Sequence, residues 1–333
     1  MPSLSEKRIV LCFPVEPHHV DQISKAAPRS EVFCSNQQDI DADILSADIF
    51  CGHAKEKLLP WADVVSAGRL QWIQSSAAGL DHCLTPPVIA SSIPVTSAAG
   101  LFADQVAEQA MSLLFGLIRK LPVFFRAQNK REFIRRPTDD LHGKTVGIVG
   151  FGGNGRRIAE CLSTMKVRIV ATDVYTDNKP SYVDSLWPAE KLDELLSVSD
   201  VVILCIPLNE QTHGMFASHE FAAMKPNSYF VNVARGQVVV ESDLVEALTS
   251  KKLQAAGVDV TEVEPLPTES PLWEMDNVII TPHVGAQSAD RVDVTVDFFC
   301  ENLRRYESEE PLYNLVDKRL GFPSPEHHYS FAR

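Results

Sequence analysis

Residues 145–162 read TVGIVGFGGNGRRIAECL. A β-branched apolar run over 145–149 meets Gly150-x-Gly152-x-x-Gly155. A stretch with Ile158, Leu162 and Met165 on one helical face follows. Strand, glycine turn and helix in this order open a βαβ unit of the kind that holds a dinucleotide. Gly150 permits the tight turn, Gly152 the close approach of a pyrophosphate, and Gly155 the close packing of helix on strand. Gly153 and Asn154 fill the variable positions, at the helix N-terminus whose free N–H groups suit phosphate. Asn154 stands where an aliphatic residue is usual.

The next apolar run, RIVAT (168–172), ends at Asp173, 23 positions after Gly150. A ribose-binding acid is expected ~20 residues along such a unit. A carboxylate there accepts hydrogen bonds from the ribose hydroxyls and repels a 2′-phosphate. No arginine follows in DVYTDNKP (173–180), so NAD is favoured over NADP. Arg156 and Arg157, in the first helical turn, are expected beside the pyrophosphate.

Further Val- and Ile-rich runs come at VVILC (201–205), YFVNV (229–233), AAGVDV (255–260) and NVIIT (277–281), with helical starts near Gly155, Ala189, Ser218 and Ser242. Buried strands alternating with helices predict a doubly wound parallel sheet of Rossmann type. The glycine loop lies far into the chain, so a separate unit precedes it. RIVLCF (8–13), DIFCG (48–52) and LQWIQ (70–74) read as strands, with helices in HHVDQISKAA (18–27) and KEKLLPWADVVSA (55–67). FADQVAEQAMSLLFGLIRKL (102–121) has the apolar spacing of one long bridging helix that stops near Pro122. After Ala289 an amphipathic helix and the tail are expected to return to the first domain. The expected layout is 1–101 with 290–333 as one discontinuous, smaller α/β domain, and 102–289 as the dinucleotide-binding domain.

Composition sets outer bounds. A chain of 333 residues suits about two domains. A formal net charge of −13, from 44 acidic and 31 basic side chains, disfavours nucleic acid or an anionic membrane as partner. No apolar run approaches the ~20 residues that span a bilayer. MPSLSEKRIVLCF at the start lacks the apolar core of a secretory leader. Seven scattered cysteines without C-x-x-C suit a reducing cytoplasm and predict no metal site.

Ligands of an open parallel sheet bind beyond the carboxyl ends of its strands. YFVNV is followed by Ala234-Arg235-Gly236, AAGVDV by TEVEPLP with Glu262 and Glu264, and NVIIT by Pro282-His283-Val284-Gly285. A cation, a carboxylate and an imidazole thus share an edge with the glycine loop. Hydride transfer to a carbonyl needs this set: a proton donor, a group that holds the donor, and a cation for a substrate carboxylate.

With these segments assembled, the chain resembles the D-isomer-specific 2-hydroxyacid dehydrogenases, from SSAAGLDH (75–82) to PLYNLV (311–316). The resemblance implies a Rossmann domain plus a smaller discontinuous flavodoxin-like substrate domain. It implies Arg235 on the substrate carboxylate and carbonyl, Glu264 paired with the histidine, and His283 as general acid/base. Asp259 aligns with a residue near the nicotinamide amide, Val106 with one lining the cofactor, and Pro207 with one near the adenine. Ala78 and Gly79 align with the loop whose backbone N–H groups grip the carboxylate. His53, with Cys51 and Gly52, stands where phosphoglycerate enzymes often carry an arginine. The implied protein is a cytoplasmic NAD(H)-dependent oxidoreductase acting on a small 2-keto or 2-hydroxy acid such as glyoxylate, hydroxypyruvate or glycerate. It is implied to be a homodimer through the Rossmann domain, with the helix at 103–125 in the interface.

Three other readings share the fold. A corepressor-like, NAD(H)-binding interaction protein keeps the triad. A 3-phosphoglycerate dehydrogenase is weakened by the missing arginine. A formate dehydrogenase carries glutamine where Glu264 stands.

Overall fold

The structure is a computed structural model that describes residues 7–54, 57–327 and 329. It divides into two compact units, Met1–Leu101 with Ser288–Arg333, and Phe102–Gln287. The first six residues and residues 55 and 56 lie outside the described residues, so the expected absence of a leader and the start of the expected 55–67 helix are not described.

The first unit begins with a five-stranded parallel sheet of β1 (Lys7–Cys12), β2 (Ser30–Cys34), β3 (Ile49–Gly52), β4 (Trp72–Ser75) and β5 (Val95–Thr96). Its order, β2-β1-β3-β4-β5, is the flavodoxin-like one. Helices α1 (Pro17–Ala26), α2 (Ile40–Asp43), α3 (Trp61–Ala67) and α4 (Pro86–Ala90) connect the strands. Strands β1 and β3 are covered on both faces, so their sequences are apolar runs rather than alternations. Among the described residues, the helix expected over 55–67 runs from Trp61 to Ala67, with Pro60 as its N-cap.

The second unit opens with α5 (Ala103–Ile118) and α6 (Leu121–Asn129). One continuous helix was the expectation, but Lys120 adopts a left-handed conformation at φ 56° and starts a second helix. Pro122 therefore sits in the first turn of α6, where its missing N–H costs nothing, instead of closing α5. The sheet contains β6 (Thr145–Val149), β7 (Arg168–Asp173), β8 (Ser185–Pro188), β9 (Val201–Leu204), β10 (Ser228–Asn232), β11 (Leu253–Val258) and β12 (Val278–Ile280). Between them run α7 (Gly153–Leu162), α8 (Leu192–Val198), α9 (Ser218–Ala223) and α10 (Glu241–Thr249). The order β12-β11-β10-β9-β6-β7-β8 is the doubly wound arrangement, with the chain reversing direction across the sheet between β6 and β9. Strand β8 (SLWP) was missed because it is short, ends in proline and is only partly buried. Helix α5 packs Val106, Ala110, Leu113, Leu114 and Leu117 into one face of this sheet. The opposite face is filled around Phe216, Phe221 and Phe230.

The chain then returns to the first unit through α11 (Arg291–Glu307), which packs against α1. Val296, Phe299 and Leu303 join Ile9, Ile23 and Trp72 in one core. Asn302 is fully buried and donates to Gln74 Oε1 (3.2 Å) and the Tyr313 carbonyl (3.1 Å). Its own oxygen accepts the Tyr313 N–H at 2.8 Å. Asn314 donates to the carbonyls of Ser97 (3.0 Å) and Ala99 (2.9 Å). No helix among the described residues is long and apolar enough to cross a membrane.

Candidate active site

The glycine loop joins β6 to α7. Gly150 has φ 91°, and a Cβ on Gly155 would lie 2.1 Å from the Gly150 carbonyl oxygen, so the helix approaches the turn as only glycine allows. Gly152 is the helix N-cap and is exposed, so the backbone of the first turn, Gly153 and Asn154 included, is open to a ligand. Strands β6 and β7 pair with Val149 opposite Thr172, which sets Asp173 beside Gly150. The Asp173 carboxylate accepts the N–H of Phe151 (2.5 Å) and of Tyr175 (2.9 Å). Turn, helix start and acid therefore fit a dinucleotide.

The two arginines, expected beside the pyrophosphate, bond to other parts of the protein. Arg156 lies over the Phe151 ring and donates to the carbonyls of Asn178 (2.9 Å) and Asp177 (3.3 Å), beyond Asp173. Arg157 pairs with Asp104 (2.5 Å) and Glu160 (2.7 Å). Arg156 thus reaches the loop after β7, while Arg157 is engaged by α5 and by its own helix.

Three strand-end loops carry the predicted chemistry. After β10, the Asn232 side chain accepts Ala234 N–H (3.0 Å) and donates to the Arg235 carbonyl (3.1 Å), which shapes the turn at Arg235. A Cβ on Gly236 would fall 1.8 Å from the Thr261 carbonyl oxygen, so the loop after β10 touches the loop after β11. Glu264, in the latter, takes the Thr261 N–H on Oε1 (3.2 Å) and pairs through Oε2 with His283 Nδ1 (2.8 Å). Burial pushes the Glu264 carboxyl up, but the His283 hydrogen bond and charge, the Thr261 N–H and the Arg235 charge hold it below its usual value. An ionised Glu264 accepts, so Nδ1 carries its proton and Nε2 is the ring nitrogen left for a substrate.

His283 has φ 53°, a left-handed conformation uncommon for a non-glycine residue. Its N–H bonds the Asp259 carbonyl at 2.7 Å. The buried Asp259 carboxylate receives Thr281 Oγ1 (2.6 Å), Gly285 N (2.8 Å), Val284 N (3.1 Å) and Gln109 Nε2 (3.3 Å). Its acceptor positions are thus engaged by the turn that bears His283. Val106 is buried on α5, and the Pro207 carbonyl accepts Thr212 Oγ1 (2.6 Å) in the segment after β9.

The remaining predicted residues belong to the first unit. His53 follows β3, with its N–H on the Cys12 carbonyl (3.1 Å). Ala78 and Gly79 lie in the bend after β4. Ser75 Oγ accepts the Ala77 N–H (3.0 Å) there. Two residues that sequence reasoning passed over join them. The His82 ring stacks on His53 with centroids 3.9 Å apart, and its Nε2 lies 3.2 Å from Ser75 Oγ. Arg291, at the start of α11, reaches the Ser76 carbonyl at 3.5 Å, and burial lowers its pKa. His82 closes the same SSAAGLDH motif that supplied Ala78; only its meeting with His53 was hidden.

Among the described residues, His18, His19 and Asp293 form a cluster with ligand-type atoms within 4.8 Å of one another. His19 already accepts the Glu16 N–H on Nδ1 (3.0 Å) and bonds Asp293 through Nε2 (2.9 Å), which spends both ring nitrogens. None of the site residues above takes part in it.

Residues 111–285 match the family described as D-isomer specific 2-hydroxyacid dehydrogenase, NAD binding domain. A hydroxypyruvate reductase of Thermotoga maritima is 35% identical over 238 residues, 69% of this chain and 75% of that one. A glyoxylate reductase of Pyrococcus furiosus is 31% identical over 266 residues, 77% of this chain and 78% of that one. Among solved structures, a D-isomer specific 2-hydroxyacid dehydrogenase of Xanthobacter autotrophicus Py2, in complex with NADPH and MES, superposes with a TM-score of 0.81 at 27% identity. That superposition covers 95% of this chain and 100% of that one. The chain belongs to the D-isomer specific 2-hydroxyacid dehydrogenase family, and is an oxidoreductase that works with a nicotinamide dinucleotide.

Proposed function

We propose that the protein interconverts a small 2-keto acid, of the size of glyoxylate or hydroxypyruvate, and the D-2-hydroxy acid, using NAD(H). The observation that carries the reading is the 2.8 Å contact of His283 with Glu264, within range of the Arg235 charge, on loops that follow adjacent strands of a dinucleotide-type sheet.

The bound dinucleotide supplies or accepts the hydride. His283 gives a proton from Nε2 to the oxygen of the carbonyl being reduced, and takes it back in the oxidative direction. Glu264 fixes the ring through Nδ1. Arg235 offers a planar fork to the substrate carboxylate and polarises the carbonyl. Gly150, Gly152, Gly153, Asn154 and Gly155 are assigned to the pyrophosphate, and Asp173 to the adenosine ribose. Val106, Pro207 and Asp259 are assigned to the cofactor, and Ala78, Gly79 and His53 to the substrate, on the family resemblance. The preference for NAD rests on the Asp173 carboxylate, which two backbone N–H groups hold at the end of β7.

Homodimer formation through the larger unit is supported by exposed apolar residues on and after α6: Phe125 is 56% and Phe133 96% exposed. Seven scattered cysteines without a C-x-x-C pair suit a reducing cytoplasm. Absorbance at 340 nm with NADH or NADPH over a panel of 2-keto acids tests the reaction. His283→Ala is expected to abolish most turnover and keep NADH binding. Full turnover in that variant, or a preference for NADPH, would overturn the acid/base or the cofactor assignment respectively.

A further inference from the structure

We infer that Gln109, on α5, is a positioning residue for the reaction: it holds the turn that presents His283. The inference rests on the reading of His283 as the acid/base.

Gln109 lies mid-helix, half-buried, one position beyond the exposed Glu108. Its Nε2 donates to Thr281 Oγ1 at 2.7 Å and reaches Asp259 Oδ1 at 3.3 Å. The Thr281 hydroxyl accepts from Gln109 and gives its own proton to Asp259 Oδ1, 2.6 Å away, since a carboxylate oxygen only accepts. The same carboxylate collects the N–H groups of Val284 and Gly285, the two residues after His283. The His283 N–H binds the backbone carbonyl of Asp259 itself. The turn from Thr281 to Gly285 is thus wound around one side chain, and Gln109 is the tether from the neighbouring helix to that hub.

The tether has work to do because the turn is unfavourable by itself. His283 sits at φ 53°, and a residue in a sparsely populated conformation stays there only when its surroundings over-determine it. Removing the Gln109 amide leaves Thr281 free to rotate its proton elsewhere and loosens one side of the Asp259 carboxylate. The imidazole moves with the turn. A displacement of a catalytic group by ~1 Å can lower turnover by a factor of ~100. The Gln109 amide donates to Thr281 and Asp259, so its effect travels through the turn.

The test is Gln109→Met, which keeps length and helix propensity and removes both donors. Expected are a kcat lower by a factor on the order of 10 to 100, an unchanged melting temperature, NADH affinity within twofold, and a KM for the keto acid within threefold. Gln109→Glu, of the same shape but facing Asp259 with a carboxylate, is expected to lose more kcat than Gln109→Met. On a His283→Ala background, Gln109→Met is expected to change residual turnover by less than twofold, since coupled residues are non-additive. A normal kcat in Gln109→Met overturns the inference. So does a loss confined to NADH affinity or folding, or a full additive loss in the double variant. Full turnover in His283→Ala alone would instead sink the underlying acid/base reading.

Discussion

The two units both gather polar groups at the carboxyl edge of a parallel sheet, but they hold them by different means. In the larger unit side chains hold the turns largely through backbone groups, beside the Glu264–His283 pair. Asn232 shapes the Arg235 turn through two backbone groups, and Asp259 gathers the N–H groups that follow His283. In the smaller unit side chain meets side chain: His53 stacks on His82, and Ser75 bonds His82. Backbone holders demand particular residue types at fixed offsets, because a turn has few solutions. Side-chain partners far apart in sequence can change together without disturbing the chain path. On the proposed roles, the first arrangement ties the acid/base group to the chain path, and the second leaves the residues assigned to the substrate freer to vary.

The largest expected effect breaks the larger unit's edge. Arg235→Lys keeps the charge but loses the planar fork that matches a carboxylate, and kcat/KM is expected to fall on the order of 100- to 1000-fold. Dinucleotide affinity, measured by fluorescence quenching, should stay within twofold; a parallel loss would place Arg235 on the cofactor. Glu264→Gln comes next, with kcat expected to fall roughly 10- to 100-fold, because a neutral amide no longer matches a charged imidazole. Its pH behaviour has a definite sign. Burial pushes the Glu264 carboxyl up, and the His283, Thr261 and Arg235 interactions more than offset it, so the folded value lies below 4.5. The stabilisation is present in full above the unfolded value and is lost as pH falls through the folded one. The Glu264 side chain is 37% exposed, so solvent screens the effect to a small one. The melting-temperature gap between wild type and Glu264→Gln is expected to shrink below pH 4.5, and a widening gap would contradict the pairing.

The same contrast explains what the sequence disclosed. Gly150 and Gly155 were legible from the G-x-G-x-x-G spacing, and each stands where a Cβ would strike backbone or where φ is positive. Arg235, Glu264 and His283 could be singled out because each lies in the loop that follows a strongly apolar strand. The break at Lys120 was not legible, since a left-handed lysine leaves no composition signal, and Pro122 reads equally as the end of one helix or the start of the next. Arg156 was placed at the pyrophosphate because spacing gives the turn of a helix but not the direction of a long side chain; it goes to the 177–178 carbonyls. Gln109 was invisible for the same reason. Its partners, Asp259 and Thr281, are 150 and 172 positions away.

Two intermediate effects separate the units. Asn302→Ala strips Gln74 and Tyr313 of buried partners, and unfolding in urea should show a loss of about 2 kcal/mol. NADH affinity should not change, because the network lies wholly in the smaller unit. Asp173→Ala removes the acceptor of Phe151 and Tyr175 N–H. Its expected signature is a roughly tenfold drop in the NADH-over-NADPH ratio of kcat/KM, equivalent to about 1.4 kcal/mol. An unchanged ratio would take Asp173 away from the ribose.

The smallest expected effect addresses the smaller unit's edge, where side chains hold one another. His82→Leu removes the ring that faces His53 and the bond to Ser75 Oγ, while the His82 carbonyl that accepts from Trp61 Nε1 belongs to the backbone and is kept. Ring stacking of this kind is worth about 0.5–1.5 kcal/mol, so changes of about two- to tenfold are expected. They should fall on the ratio of kcat/KM between hydroxypyruvate and an aliphatic keto acid such as 2-ketobutyrate, with NADH affinity and the acid/base pH profile unmoved. The reason is that the His82 ring is part of what sets the His53 ring, whereas the loops of Arg235, Glu264 and His283 rest on backbone bonds that His82 does not share. If His82→Leu instead lowered turnover on every keto acid equally, the smaller unit's edge would be part of the chemistry, and the division between a conservative edge and a variable one would fall.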